Sequence, residues 1–310
     1  MLFFLLTLSV IMVILILGGW YVFNVACVRR KEVPWLVREE IEKTSYKKYY
    51  ELITKSHNWL CDHAPEDHYI TSSDGLKLHG LWVPAINPKG TVLFAHGYRS
   101  TYLVDFGGAM DFYHRNGFNL LIPDQRSHGK SEGKYITFGV KESEDMRLWL
   151  QYHNEKLSKY PVLLSGLSMG ASTMMYLADR ELPENVKGMI VDCGFSSPWE
   201  ILDTVFRSVV HLPGGICLWA TNIFTKLFAG FSLDERNSKL CLKNNRLPIL
   251  MVHGKGDDFV PCKMSEDAYA VCSGEKELFL AEGAGHGLSF LVERDRYIAR
   301  VSAFLERYFR

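Results

Sequence analysis

The stretch Val162-Leu163-Leu164-Ser165-Gly166-Leu167-Ser168-Met169-Gly170 joins a short apolar run to a turn in which a serine stands between two glycines. The apolar half is predicted to be a buried strand, and a helical segment follows from Ala171. In that context G-x-S-x-G is the signature of a sharp strand-to-helix turn that exposes a serine side chain. Side chains two residues either side of the serine would clash in so tight a turn, and Gly166 and Gly170 remove them. The helix N-terminus beneath the serine supplies positive potential where anionic charge would develop. Ser168 is therefore the expected nucleophile.

Working outward, similar apolar runs recur at Thr91–Ala95, Asn119–Ile122, Gly188–Val191, Ile249–Val252 and Glu277–Ala281. Each leads into a polar loop, as expected for fully buried strands of a parallel sheet. Helix-length segments separate them, at about 102–116, 140–157, 170–180, 264–273 and 289–308. The alternation predicts right-handed βαβ units and a doubly wound, mostly parallel α/β sheet, whose chemistry sits beyond the C-terminal strand ends. Upstream, His68–Thr71 and Lys77–Val83 flank Asp74-Gly75, a hairpin turn. The domain is thus expected over residues 68–310.

Composition narrows the function classes. With 47% hydrophobic and 23% charged residues, the chain can bury one large core. Thirty-five basic residues balance thirty-five acidic ones, and no long basic run exists, which argues against a nucleic-acid partner. The seven cysteines include no C-x-x-C pair, so a metal or redox site is not expected. Their odd number fits free thiols in a reducing compartment.

A serine needs a base to take its proton and an acid to orient that base. For this kind of turn the chain order is serine, acid, histidine. Gly283-Ala284-Gly285-His286-Gly287 lies between the last strand and the last helix and offers His286 as base. His253-Gly254-Lys255-Gly256-Asp257-Asp258-Phe259-Val260-Pro261 follows the preceding strand and offers two adjacent carboxylates, with Asp192 a more distant one. His96-Gly97-Tyr98-Arg99 follows an earlier strand, and the backbone N–H of Tyr98, with that of Met169, is expected to form an oxyanion hole. His96 and His253 read as structural, as does the turn Asp124–Ser131.

Two regions stand outside the alternation. Between Asp192 and Ile249, Leu202, Val205, Phe206 and Val209 recur at helical spacing, and Ile216, Trp219, Ala220, Ile223, Phe224 and Leu227 repeat the pattern. Two amphipathic helices inserted between strands (about 196–245) are expected to form a lid, with Phe206, Val209, Trp219 and Phe224 lining a substrate groove above Ser168. At the other end, Leu2–Val28 contains no charged residue and is long enough to span a bilayer. Trp20 and Tyr21 suit the interface. A cleaved signal peptide is the rival reading, with Asn24-Val25-Ala26-Cys27 as a weak cleavage site. Arg29, Arg30 and Lys31 follow the run, so the domain is expected on the cytoplasmic side of a single-pass anchor (1–31). Residues 32–67 (Trp35, Leu36, Ile41, Tyr46, Tyr49, Tyr50, Leu52 and Ile53 among charges) read as a juxtamembrane helical segment, packed on the domain or lying near the membrane.

Taken together, the segments at 96–100, 124–133, 166–170, 253–261 and 283–287 resemble the α/β-hydrolase superfamily, and most closely its serine aminopeptidase-like and lysophospholipase-like branch. The resemblance covers about residues 68–310. It puts the acid at Asp257, through the H-G-x-x-D-x-x-V-P pattern, and leaves Asp258 as a loop charge. It implies hydrolysis of an ester, thioester or amide through an acyl-enzyme, with no cofactor. It does not imply a substrate. A lipophilic acyl ester is the expected substrate, given the apolar lid and the membrane run. An aminopeptidase-like amide hydrolase is the alternative, which an acidic lid residue (Glu200, Asp203 or Asp234) would favour by capturing an amine. Acyl transfer to another acceptor, or a non-catalytic membrane module on the same scaffold, are further alternatives.

Overall fold

A computed structural model describes residues 2–31, 36–44, 46–211 and 213–309 of the chain. Eight strands form one sheet: β1 (Glu66–Thr71), β2 (Lys77–Val83), β3 (Gly90–Ala95), β4 (Phe118–Pro123), β5 (Val162–Leu167), β6 (Val186–Asp192), β7 (Ile249–Gly254) and β8 (Lys276–Ala281). Their order is β1-β2-β4-β3-β5-β6-β7-β8. The β1/β2 and β2/β4 pairs are antiparallel and every other pair is parallel. Every residue of β3, β4, β5 and β7 is buried, as their continuous apolar character requires. The edge strand β1 alternates instead, with Ile70 turned inward between exposed neighbours.

Helices cover both faces. Tyr102–Arg115 and Arg294–Tyr308 close a core around Phe94, Met110, Leu120 and Phe304. Val140–Tyr152, Met169–Met175 and Lys263–Val271 close the opposite one around Leu93, Leu121, Trp149 and Met174. Two segments expected as single helices are interrupted. Val140–Tyr152 gives way to a wider turn over His153–Leu157, and a break at Glu293 separates Ser289–Val292 from Arg294–Tyr308.

The segment expected to be juxtamembrane packs on the domain. Trp35 lies outside the described residues. Ile41, Ile53 and Leu60 are buried in the first core, and helix Tyr50–Asp62 seats Ser56 against Gly107 of the next helix. The insertion between β6 and β7 contains helices Pro198–Val210 and Gly215–Phe224, the latter continuing as a wide turn through Ala229, and then Ser238–Leu242.

The N-terminal helix, Leu2–Ala26, is long and apolar enough to cross a membrane, and its last turns belong to the domain. Phe23, Ala26 and Cys27 join Phe138, Phe195, Ile201, Leu218 and Val260 in a third core beneath the insertion. Val28 pairs with Tyr135 in an antiparallel bridge. Arg29 donates to the carbonyls of Ser131 (2.6 Å) and Gly129 (2.7 Å). The apolar run therefore does not end in a free linker before the domain starts.

Candidate active site

β5 delivers Ser168 with φ 54° and ψ −116°, a left-handed conformation that costs a non-glycine residue about 1–3 kcal/mol. The surroundings fix it: its N–H donates to the Asp192 carbonyl at 2.8 Å, and its own carbonyl accepts from the Ser172 N–H at 3.0 Å. A Cβ at Gly170 would lie 1.8 Å from the Ala95 carbonyl oxygen, and one at Gly166 would lie 2.4 Å from that of Gly170. Any larger residue at either place would push the turn off the sheet.

The loop after β8 brings His286 over this turn. Its Nε2 lies 2.9 Å from Ser168 Oγ and its Nδ1 lies 2.7 Å from Asp257 Oδ2. An ionised carboxylate only accepts hydrogen bonds, so Nδ1 carries the proton and Nε2 is free to accept from the serine hydroxyl. Asp257 is held from several sides. Its Oδ1 accepts from the N–H groups of Phe259 (3.0 Å) and Val260 (2.8 Å), and His253 Nε2 approaches Oδ2 at 3.1 Å. Burial alone would raise this carboxyl. The hydrogen bonds from His253 and His286 and the Val260 N–H outweigh burial and hold it well below the usual carboxylate range. Asp258 is exposed. Asp192 accepts from Ser289 Oγ at 3.0 Å, and burial pushes it up to about 6.

The loop after β3 packs directly on the serine: a Cβ at Gly97 would lie 3.4 Å from Ser168 Cβ. Gly97 N–H donates to Asp105 Oδ2 at 2.5 Å, and Arg99 N–H donates to His128 Nε2 at 3.0 Å. The Tyr98 N–H between them, and the Met169 N–H at the start of its helix, are taken up by no hydrogen bond among the described residues. Burial drives His128 well below the ordinary imidazole range, so it is neutral and can accept. The turn Asp124–Ser131 thus buttresses the Tyr98 loop from behind. It is itself locked by Asp124 Oδ2, which takes the Lys130 N–H at 2.9 Å and His79 Nδ1 at 2.8 Å.

A cavity of about 250 Å³ opens at Ser168. Phe138, Phe195 and Phe259 line it from the strand-end loops, and Ile201, Leu202 and Val205 from the first insertion helix. Its remaining wall comes from Val25 and Ala26, at the end of the N-terminal helix. Tyr98, stacked on Phe138 at 5.4 Å, ties that wall to the loop through its Oη, which donates to the Ala26 carbonyl at 2.8 Å. Arg99 Nη2 donates to the carbonyls of Val25 (2.7 Å) and Val28 (3.1 Å). Arg99 is the one charged residue among the described residues lining the cavity.

Phe206, Val209, Trp219 and Phe224 do not line this cavity, contrary to the expectation from their spacing. Val209 and Trp219 are 72% and 64% exposed, Phe206 is half-buried, and Phe224 packs on Trp20 and Phe23 of the N-terminal helix. A helical stripe identifies an apolar face but not its partner. The acidic insertion residues are also engaged elsewhere. Glu200 pairs with Lys239 at 3.0 Å, Asp203 with Arg207 at 2.6 Å, and Asp234 accepts from Ser232. The wall residues Val25, Ala26 and Phe138 carried no local signal, since they reach the site only through tertiary packing.

Cys193 Sγ, Asp257 and His286 offer ligand atoms all within 4.8 Å of one another. Burial holds the Cys193 thiol far above its ordinary value, so it stays protonated, and both other groups are committed to each other.

The serine aminopeptidase S33 family profile matches residues 86–246. That stretch holds Ser168 and ends before Asp257 and His286. The YqkD protein of Bacillus subtilis is 29% identical over 238 residues, 76% of this chain and 78% of that one. The esterase Pf2001 of Pyrococcus furiosus superposes with a TM-score of 0.65 at 24% identity, over 81% of this chain and 94% of that chain. An esterase from Exiguobacterium antarcticum superposes with a TM-score of 0.58 at 19% identity, over 78% of this chain and 100% of that chain. With the family profile covering more than half its residues and the sheet those structures share, the chain belongs to the serine aminopeptidase S33 family and is an α/β hydrolase.

Proposed function

We propose that this chain is a membrane-anchored serine hydrolase that cleaves a carboxylic ester of a lipophilic acyl group. The observation that carries the reading is the hydrogen-bonded series Ser168–His286–Asp257 at the floor of an apolar cavity. In this reading Ser168 Oγ attacks the ester carbonyl as His286 Nε2 takes its proton. The oxyanion is met by the N–H groups of Tyr98 and Met169, an arrangement in which each donor contributes roughly 3–4 kcal/mol. The C–O bond breaks as the imidazolium returns the proton to the departing alcohol. Water, activated by the same imidazole, then releases the acid from the acyl-enzyme. Asp257 fixes the imidazole tautomer and offsets its charge.

The apolar lining favours an acyl chain. An ammonium group would find Arg99 rather than a carboxylate beside the cavity, which weighs against an aminopeptidase. At about 250 Å³ the cavity has room for an acyl chain, and its apolar lining suits one. Residues 2–28 are the proposed anchor. Exposed Arg30 and Lys31 support a cytoplasmic domain, and the burial of Ala26 and Cys27 supports an uncleaved one.

The test is fluorophosphonate labelling of the full-length protein, followed by turnover of aryl esters of increasing chain length. Label should fall on Ser168, and Ser168→Ala should lose on the order of 10⁶ in kcat. Ordinary turnover in that variant would overturn the proposal.

A further inference from the structure

The second insertion helix is built inside out for a helix in water. Its buried residues are Leu218, Ala220, Thr221, Asn222, Thr225 and Ala229, half of them polar. Asn222 Oδ1 accepts from the Leu233 N–H (2.7 Å) and Ser232 Oγ (3.1 Å), fastening the helix to the loop that follows it. The outward face carries Ile216, Trp219, Ile223 and Leu227, all exposed, with Phe228 beside them. Its one charged residue, Lys226, stands in the last turn, where a long side chain can extend to a polar boundary. Exposed Val209 and Val210 extend the patch on the neighbouring helix. Soluble proteins rarely leave a contiguous apolar patch of this kind uncovered.

What covers it follows from its neighbour. The helix runs beside the N-terminal helix in the same sense. Cys217 faces Gly18, and Ala220 and Thr221 face Gly19 at distances no side chain would allow. Phe224 and Phe228 pack on Trp20 and Phe23. Trp20 and Tyr21 are exposed aromatics of the sort that settle at a membrane interface. Gly18 and Gly19 lie on the apolar side of that pair, so the residues touching them lie at the same depth.

We infer that the first turns of the helix Gly215–Phe224 are sunk in the bilayer beside the anchor, with Ile216 and Trp219 in contact with lipid acyl chains and Ile223 and Leu227 at its boundary. The inference rests on reading residues 2–28 as a membrane anchor. The cavity at Ser168, walled by Val25 and Ala26 on one side and Val205 on the other, then lies at the membrane boundary, and the substrate class is an ester lipid resident in that bilayer.

The full-length protein, reconstituted in phosphatidylcholine vesicles, provides the test. Ile216→benzoylphenylalanine and Trp219→benzoylphenylalanine are compared with Lys156→benzoylphenylalanine, an exposed position outside the insertion. After irradiation, lipid adducts are counted by mass spectrometry, and a melting curve verifies that each variant is folded. Ile223 replaces either insertion position if a variant does not fold. At least tenfold more lipid adduct at 216 and 219 than at 156 is the expected result. Adducts between two copies of the chain, or lipid adducts no more frequent than at 156, would overturn the inference. Alkaline carbonate separates the two readings. Resistance with no lipid adduct leaves the anchor standing and removes the sunken helix, whereas extraction removes both.

Discussion

Tyr98 Oη donates to the carbonyl of Ala26 at 2.8 Å, joining the loop that packs on Ser168 to the last turn of the N-terminal helix. The same loop is tied to that helix again through Arg99 and the carbonyls of Val25 and Val28. Tyr98→Phe keeps the ring stacked on Phe138 and leaves the buried Ala26 carbonyl unpaired. A loss of about 1–3 kcal/mol in stability is expected. A fall of about tenfold in kcat with little change in KM should accompany it, because the displaced group is the oxyanion donor. A melting curve and steady-state ester kinetics on the same preparation check both.

Asp257→Asn and Asp258→Asn separate the two neighbouring carboxylates. Only Asp257 touches His286, so its amide should lower kcat by about 10⁴ through the wrong imidazole tautomer. Asp258 is exposed, and its amide should stay within about twofold of the parent in the same assay. A reversed order would place the orienting acid at Asp258.

The cavity wall should set chain-length preference in both directions. Ala26→Leu projects three more carbons toward the cavity, and Leu202→Ala removes three from its opposite side. The ratio of decanoate to butyrate ester turnover should fall about tenfold in the first and rise in the second, within the roughly 1–3 kcal/mol that a methylene-scale change in fit supplies. Leu202→Ala should also cost about 2–5 kcal/mol of stability as a core truncation. Equal ratios in both variants would mean that the acyl chain lies elsewhere.

Gly19→Val tests whether the proposed anchor must be docked. A Cβ there would lie 2.6 Å from Ala220 Cβ and 2.8 Å from its backbone carbon, so the helices must separate. The variant should remain carbonate-resistant, since its apolar run is intact, yet lose at least tenfold in ester turnover. Full activity would reduce the anchor to a tether.

Asp192 should give the protein a distinctive pH dependence. Burial raises its folded carboxyl to about 6, against roughly 3.9 in the unfolded chain. The folded state therefore binds the extra proton between those values. The contribution from this group is most favourable below pH 4, declines as pH rises to 6, and is constant above it. Asp192→Asn keeps an oxygen for the Ser289 hydroxyl and removes that decline. Relative to the parent, the variant should gain about 2 kcal/mol on going from pH 4.5 to pH 7.5. Melting curves at the two pH values measure the difference. Asp145, which burial also pushes up to about 6, contributes equally to parent and variant and cancels.

The sheet and the order of its reactive groups were legible in the chain before any tertiary contact was known. Val162–Leu167 can only be a buried strand, because six consecutive residues are apolar or small and a turn follows at once. The glycines at 166 and 170 require a close backbone approach that local geometry already demands. Ser168, Asp257 and His286 each stand in a loop immediately after a strand, so a parallel sheet necessarily gathers them at one end. Tertiary structure alone decided which face of each insertion helix turns inward, and which residues wall the cavity. Periodicity reports that Ile216, Trp219, Ile223 and Leu227 share a face, but the side of a helix that is buried depends on the medium around it. Here Asn222 fastens the polar side to the Ser232–Leu233 loop, and Gly18 and Gly19 admit the helix against the N-terminal segment. Val25 and Ala26 reach Ser168 from more than a hundred and forty residues away in the chain, a distance over which no local pattern carries information.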